Sequence, residues 1–276
     1  DCINLIAATP DPHLFPFDKI KQIAQNMVWN PKDAFFTYGN PQGYQPLVEH
    51  LEQRMALEGG AMAPGQNDIV LVTGFQQGLS LLPDLICREG DLVVVEQPTY
   101  ASILNLLIAR RIRYVGIPMD REGMQVGKLE ALLAKEPVKA IITIPTCHNP
   151  TGTTMSLERR EALLSTATQH GVPIIEDDYA LDLRFDGPKH PSLKALDTTG
   201  IVLHIGSFSK VFLPGLRVGW VTAPSEAALS LVRLKRACDH ADFYFLQAVL
   251  HEVIQRGDYD QSGGQVCRTY QSPRQA

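Results

Sequence analysis

The run Ala140-Ile141-Ile142-Thr143-Ile144 is followed by an amphipathic stretch from Leu157 to His170 and then by Val172-Pro173-Ile174-Ile175. A short β-branched run, a helix-length segment and a second apolar run make a strand–helix–strand unit, whose two strands lie parallel in one sheet. The same alternation extends outward in both directions. Upstream, Ile69-Val70-Leu71-Val72 precedes a helical pattern from Gln76 to Cys87, and Leu92-Val93-Val94-Val95 precedes one from Tyr100 to Arg111. Downstream lie Ile201-Val202-Leu203-His204-Ile205 and Val218-Gly219-Trp220-Val221. Strands that are apolar throughout, rather than alternating, are buried on both faces, so the reading is an α/β fold with a mostly parallel sheet flanked by helices. Helix starts are marked by Ser156, with Arg159 and Arg160 behind it, and by Pro224-Ser225 before Glu226 to Arg236.

The two ends read differently. Residues 1–45 carry the turn-rich Thr9-Pro10-Asp11-Pro12 and Gly39-Asn40-Pro41-Gln42-Gly43, with one helix expected from Asp18 to Val28. From Ser262 to Ala276 the chain is polar without a clear period and reads as a segment cut from its context.

With 276 residues the chain has room for one or two domains with a full core. Its 25 basic and 30 acidic residues leave a net charge of −5, so no basic excess exists to neutralise a phosphate backbone, and nucleic-acid binding through this segment is not expected. Five widely spaced cysteines (Cys2, Cys87, Cys147, Cys238 and Cys267) contain no CxxC pair, which argues against a disulfide framework and a zinc site. The eight histidines show no metal-ligand spacing. No signal peptide opens the chain at Asp1-Cys2-Ile3-Asn4-Leu5 and no apolar run reaches membrane-spanning length, so a cytoplasmic location without membrane contact is expected. Trp29 and Trp220 read as packing residues, and Cys147 as a small hydrophobe.

In open parallel sheets, ligands bind beyond the carboxyl ends of the strands, and polar groups collect there in this sequence. Thr73-Gly74-Phe75-Gln76 is a Gly turn opening a helix; its unpaired N–H groups suit a phosphate, although an unliganded strand-to-helix turn looks the same. His148-Asn149-Pro150-Thr151-Gly152 holds an Asn at a strand end, with His148 read as a turn residue. Glu176-Asp177-Asp178-Tyr179 sets three acids in a row, costly to desolvate without cationic or hydrogen-bonding partners. The most telling stretch runs from Gly206 to Gly219. Lys210 follows an apolar strand, with Ser207 and Ser209 before it and Arg217 seven residues on. A partly buried lysine has a lowered pKa and forms Schiff bases with carbonyl cofactors; two serines and an arginine can hold a dianionic phosphate.

Taken in order, Tyr38-x4-Gly43, Thr73-Gly74-x-Gln76, Glu96-x-Pro98-x-Tyr100, Asn149-Pro150-Thr151-Gly152, Asp177-x-Tyr179 and Ser207-x-Ser209-Lys210-x6-Arg217 resemble the fold type I, class I/II aminotransferases that use pyridoxal 5′-phosphate. The wording around Tyr38, the acid run and Phe-Ser-Lys-x3-Pro-Gly-Leu-Arg is most similar to the aminotransferase-like domain of GntR-type (MocR) transcription regulators and to the stand-alone enzymes near it. The resemblance implies an N-terminal segment at 1–45, a cofactor-binding large domain at 46–240 and the beginning of a small C-terminal domain, apparently truncated, at 241–276. It implies a transaminase acting on an amino acid and a 2-oxo acid, or alternatively an effector-sensing domain whose DNA-binding domain would precede Asp1. Lys210 would be the Schiff-base lysine and proton carrier. Asp177 would keep the pyridine nitrogen protonated; it is preferred to Asp178 because the O3′-binding tyrosine then falls on Tyr179. Asn149 and Tyr179 would bond O3′, and Tyr100 would stack on the ring. Gly74, Phe75, Gln76, Ser207, Ser209 and Arg217 would cradle the phosphate. Tyr38 would reach the neighbouring subunit's site, so a homodimer is implied. Two departures stand out: Arg268 and Arg274 come too early to serve as the family's substrate-carboxylate arginine, and Ile6-Ala7-Ala8-Thr9 lacks the glycine usual near the substrate.

Overall fold

A computed structural model describes residues 11–30, 35, 37–58, 66–183 and 189–271. The expectations for Ile6 to Thr9, Cys2 and Arg274 lie outside the described residues. Eight strands form one sheet in the order β1-β8-β7-β6-β5-β2-β3-β4. They are β1 (Asn67–Val72), β2 (Leu92–Gln97), β3 (Arg113–Asp120), β4 (Gly123–Met124), β5 (Val138–Thr143), β6 (Ile174–Asp178), β7 (Val202–Ser207) and β8 (Gly219–Pro224). The β3–β2–β5–β6–β7 ladder is parallel throughout; β8 runs against both of its neighbours, and β4 runs against β3. The expected mostly parallel sheet is what forms.

The helices are α1 (Phe17–Trp29), α2 (Gln45–Leu57), α3 (Phe75–Ile86), α4 (Ala101–Ala109), α5 (Val126–Leu133), α6 (Leu157–His170), α7 (Leu193–Leu196), α8 (Ser225–Asp239), α9 (Tyr244–Gln255) and α10 (Asp258–Gln271). Strand alternation sorts the core into layers. Val70, Val72, Ile205 and Val221 pack with Leu79, Leu82, Ile103 and Leu231 of α3, α4 and α8. Ile69, Leu71 and Trp220, on the opposite face, pack with Leu47, Leu51, Val249 and Val253 of α2 and α9. Further along that face, Val94, Ile141 and Ile174 meet Leu129 and Leu163 of α5 and α6. Burial on both faces explains why the central strands read as unbroken apolar runs. Ser156 caps α6 by accepting from Arg159 N–H, and Gly171 at φ 64° ends it, so both punctuation marks of that helix are visible in sequence.

Several parts of the fold differ from the sequence reading, among them α2 and α9, where no helix is expected. β3, β4 and α5 fill residues 113–133, where no element is expected. β3 lies near the sheet edge, is exposed at Arg113, Tyr114 and Asp120, and contains Pro118, so its apolar signal is diluted. The irregular tail from Ser262 is instead the body of α10. Its inward positions are Tyr259, Ser262 and Val266, and only one of the three is aliphatic, so the helical period exists without the usual apolar signature. Trp29 is exposed rather than packed, whereas Trp220 is fully buried.

Trp220 also fixes a glycine. It sits opposite Gly206 in the β7–β8 register, and a Cβ built on Gly206 would lie 2.1 Å from the indole. Gly206→Ala is therefore predicted to lower stability by about 1–3 kcal/mol through overpacking, read as a reduced denaturation midpoint at constant m-value. An unchanged midpoint would contradict this packing.

Candidate active site

The five parallel strands and β1 end at one edge of the sheet, and the segments that follow β1, β2, β5, β6 and β7 converge on a cavity of ≈160 Å³. Phe75, Gln76, Tyr100, Asn149, Asp177, Tyr179, Ser207, Ser209, Lys210 and Arg217 line it. Each comes from the loop or strand end where the sequence placed it. Gly74 closes one end: its φ is 72°, and a Cβ there would lie 2.6 Å from an Arg217 guanidinium nitrogen, so glycine is needed for Arg217 to fold over the start of α3. That guanidinium donates to the Thr73 carbonyl at 3.4 Å, and Ser207 Oγ accepts from Ser209 N–H at 3.1 Å. A helix N-terminus, an arginine and two hydroxyls thus share one end of the cavity, an arrangement suited to an anion.

Asp177 and Lys210 line the same cavity, and each feels the charge of the other. Burial pushes the Asp177 carboxyl well above its usual range, against the opposing pull of the Tyr179 N–H bond (3.1 Å) and the Lys210 charge. Burial pushes the Lys210 amine down, and Asp177 partly opposes that. Lys210 Nζ lies 5.7 Å from the centre of the Tyr179 ring. The Tyr179 hydroxyl donates to the Cys147 carbonyl at 2.7 Å, binding the strand-end tyrosine to the turn that carries Asn149.

The three consecutive acids separate by strand period. Asp177 points into the cavity, while Glu176 and Asp178 go to the other face. There Glu176 accepts from Leu193 N–H (2.7 Å) and Lys194 N–H (2.8 Å), and Asp178 pairs with His204 at 3.3 Å. Burial lowers the His204 pKa, but its bond to Asp178 and the charges of Glu176 and Asp178 outweigh that, and the net direction is up.

The sequence names Glu96, His148 and Arg160 but does not show how they hold these loops. Glu96 accepts from Thr143 Oγ1 (2.5 Å) and Ile144 N–H (3.0 Å), and His148 Nε2 lies 3.3 Å away. His148 also contacts Thr151 Oγ1 at 2.9 Å, as a turn residue should. Arg160, taken in sequence as part of a helix start, is buried and donates to the carbonyls of Met155 (3.0 Å) and Pro145 (2.9 Å) and to Thr146 Oγ1 (3.0 Å), clamping the Asn149 turn from behind. A fully buried arginine near a helix start carries no periodic signal that would give this away.

One expected residue stands apart. Tyr38 is 88% exposed, 6.1 Å from the His240 ring, and lines a separate groove with Phe35, Asp242, Phe243 and Tyr244. Among the described residues Arg217 is the arginine that lines the cavity; Arg268 lies on α10. No cluster of three or more metal-ligating side chains occurs among the described residues, and none of their helices is long and apolar enough to cross a membrane.

The pKa shifts make a prediction with a definite sign. A lysine with a lowered pKa presents its neutral amine at lower pH than a free lysine does. Asp177→Asn removes the charge that opposes this lowering, so the pH at which Lys210 becomes reactive should fall further. Residue-resolved acetylation rates against pH measure this; an upward move would contradict the proposed pairing.

Comparison with known proteins places this geometry. The profile of "Aminotransferase class I and II" matches residues 2–261, and the chain belongs to that family. It is 33% identical to aromatic-amino-acid aminotransferase 1 of Thermococcus litoralis over 100% of the chain and 67% of that protein. It is 32% identical to the HTH-type transcriptional regulator YisV of Bacillus subtilis over 100% of the chain and 56% of the regulator. The crystal structure of Pyrococcus horikoshii kynurenine aminotransferase superposes with a TM-score of 0.91 at 32% identity, covering 98% of this chain and 67% of that one. The chain therefore spans about two thirds of these aminotransferases and little more than half of the regulator.

Proposed function

We propose that this member of the class I and II aminotransferase family binds pyridoxal 5′-phosphate at Lys210 and moves an amino group between an amino acid and a 2-oxo acid. The observation that carries the reading is one cavity that brings together an anion cradle, the buried Asp177 carboxyl and the half-buried Lys210 amine. The residues fit the cofactor on their own chemistry. Arg217, Ser207, Ser209 and the N–H groups at Gly74 to Gln76 match a phosphate dianion. The raised Asp177 carboxyl is a buried acid that a pyridinium N–H would stabilise in its ionised form. Relatives solved with a pyridoxamine phosphate group and with a phosphopyridoxyl-leucine adduct support this choice of cofactor.

When bound, the cofactor supplies an electron sink for the pair left behind as a substrate Cα–H bond breaks. The protein's own groups do the rest. Lys210, neutral at lower pH than a free lysine, would accept the substrate Cα proton and carry it as the general base and acid of the site. Asp177 would keep the pyridine nitrogen protonated, and its burial would prevent water from screening that charge. Tyr100 supplies a ring face to stack on, and Asn149 a side-chain amide to hold O3′. The Tyr179 hydroxyl, which donates to the Cys147 carbonyl, would share the holding of O3′ with Asn149. Tyr38, exposed beside its own aromatic groove, is placed to serve a second copy, consistent with a two-fold dimer.

A second reading has its own support: the 32% identity to a transcription regulator makes an effector-sensing domain with the same site chemistry the alternative. Turnover separates them. With cofactor, an amino-acid panel and 2-oxoglutarate, an aminotransferase releases the keto acid of the donor; a sensor changes its visible absorbance once and stops. Asp177→Asn should lower keto-acid release by roughly 10²–10⁴-fold, the scale of a lost acid–base or charge-stabilising group, while still binding cofactor. Wild-type activity in that variant would remove Asp177 from the reaction.

A further inference from the structure

Away from the cavity, one buried ion pair joins four segments of the chain. Lys235 on α8 is 1% exposed, and its Nζ lies 2.5 Å from Asp242 Oδ2, in the loop before α9. The same ammonium donates to the Pro41 carbonyl at 2.7 Å. Asp242 accepts from Thr73 Oγ1 at 3.0 Å and from Gln247 Nε2 at 3.0 Å, and Gln247 Oε1 in turn accepts from Tyr44 N–H at 2.8 Å. Burying such a pair costs several kcal/mol of desolvation per ion, and apolar replacements are often neutral or stabilising, so overall stability is a poor explanation for it. What it fixes is a better one.

The fixed residue is Thr73, which immediately precedes the phosphate turn. Its hydroxyl is held by Asp242, its N–H donates to Gln77 Oε1 at 2.7 Å, and its carbonyl accepts from Arg217 at 3.4 Å. With all three polar groups engaged, the turn into Gly74 at φ 72° is set, and with it the direction of the first N–H groups of α3 and the seat of the Arg217 guanidinium. We infer that Lys235 and Asp242 are positioning residues for the phosphate cradle: they touch no cofactor atom, but through Thr73 they set how tightly the cradle grips a phosphate. Because Pro41 is bound to the same ammonium, the turn that follows Tyr38 shares this anchor. The inference rests on the proposed placement of the cofactor phosphate at Gly74 to Gln76.

The test compares pyridoxal 5′-phosphate with pyridoxal, which lacks the phosphate, by absorbance titration of the intact protein and its variants Lys235→Met, Asp242→Asn and Thr73→Val. The wild type should bind the phosphorylated form more tightly. Each variant should lose roughly 10- to 100-fold of that preference, the scale seen when outer partners of a bound group are removed, with pyridoxal affinity unchanged. Thr73→Val, which deletes one hydroxyl, keeps the test open if a charge variant fails to fold. Its loss should not add to that of Asp242→Asn in the double variant, because both break one link. Folded variants with the full wild-type preference would overturn the inference. A wild type with no preference for the phosphorylated form would instead overturn the placement of the phosphate.

Discussion

Side chains on a β-strand alternate between the two faces of the sheet, and at the end of β6 that rule is applied to three carboxylates in succession. Three adjacent buried acids on one face would repel one another with little water to screen them. The two-residue period sends Glu176 and Asp178 to one side, where two backbone N–H groups and His204 compensate them, and leaves Asp177 alone on the other. There Asp177 accepts from the Tyr179 N–H and feels the Lys210 charge, but burial outweighs both and raises its carboxyl, while burial lowers the Lys210 amine. The rest of the site is arranged around that pair: β7 and its turn deliver Lys210, β6 delivers Asp177 and Tyr179, and the cradle at β1 and β8 lies beyond them.

Precision in such a site comes from the groups behind the loops. Glu96 ties the end of β2 to the end of β5, Arg160 fastens the Asn149 turn to the start of α6, and Tyr179 spans from β6 to Cys147. Each is buried or half-buried and makes hydrogen bonds to main-chain atoms, so backbone positions rather than side-chain tips are fixed. Preorganised groups of this kind do not have to be reoriented when a reacting charge develops. The Lys235–Asp242 pair extends the same device, through Thr73, to the turn at Gly74.

Fold and site were legible in the sequence to different depths for physical reasons. Central strands such as Ile69–Val72 and Val93–Val95 announce themselves because burial on both faces demands unbroken apolar residues. β3, half exposed and interrupted by Pro118, does not, and α10 hides its period by turning Ser262 and Tyr259 inward. The cavity residues were readable because chemistry forces unusual residues into strand ends: a lysine between serines, an asparagine before Pro-Thr-Gly, a tyrosine after three acids. The choice of Asp177 over Asp178 rested in sequence on Tyr179, and the strand period gives it an independent cause. Partners such as Asp242 and Thr73, 169 residues apart, leave no local pattern, and only the folded chain brings them together. Tyr38 was recognisable as a motif, and in the folded chain it lies exposed in a groove separate from the cavity.

Lys210, the half-buried amine that shares the cavity with Asp177, should be the group that captures a carbonyl cofactor. The most direct measurement is to incubate the protein with a stoichiometric amount of pyridoxal 5′-phosphate, reduce with borohydride, and map the modified lysine by peptide mass spectrometry. The account predicts that the label falls on Lys210 and is lost in Lys210→Ala without a change in fold. Label spread over exposed lysines such as Lys19 and Lys189, or persisting at wild-type level in Lys210→Ala, would contradict it.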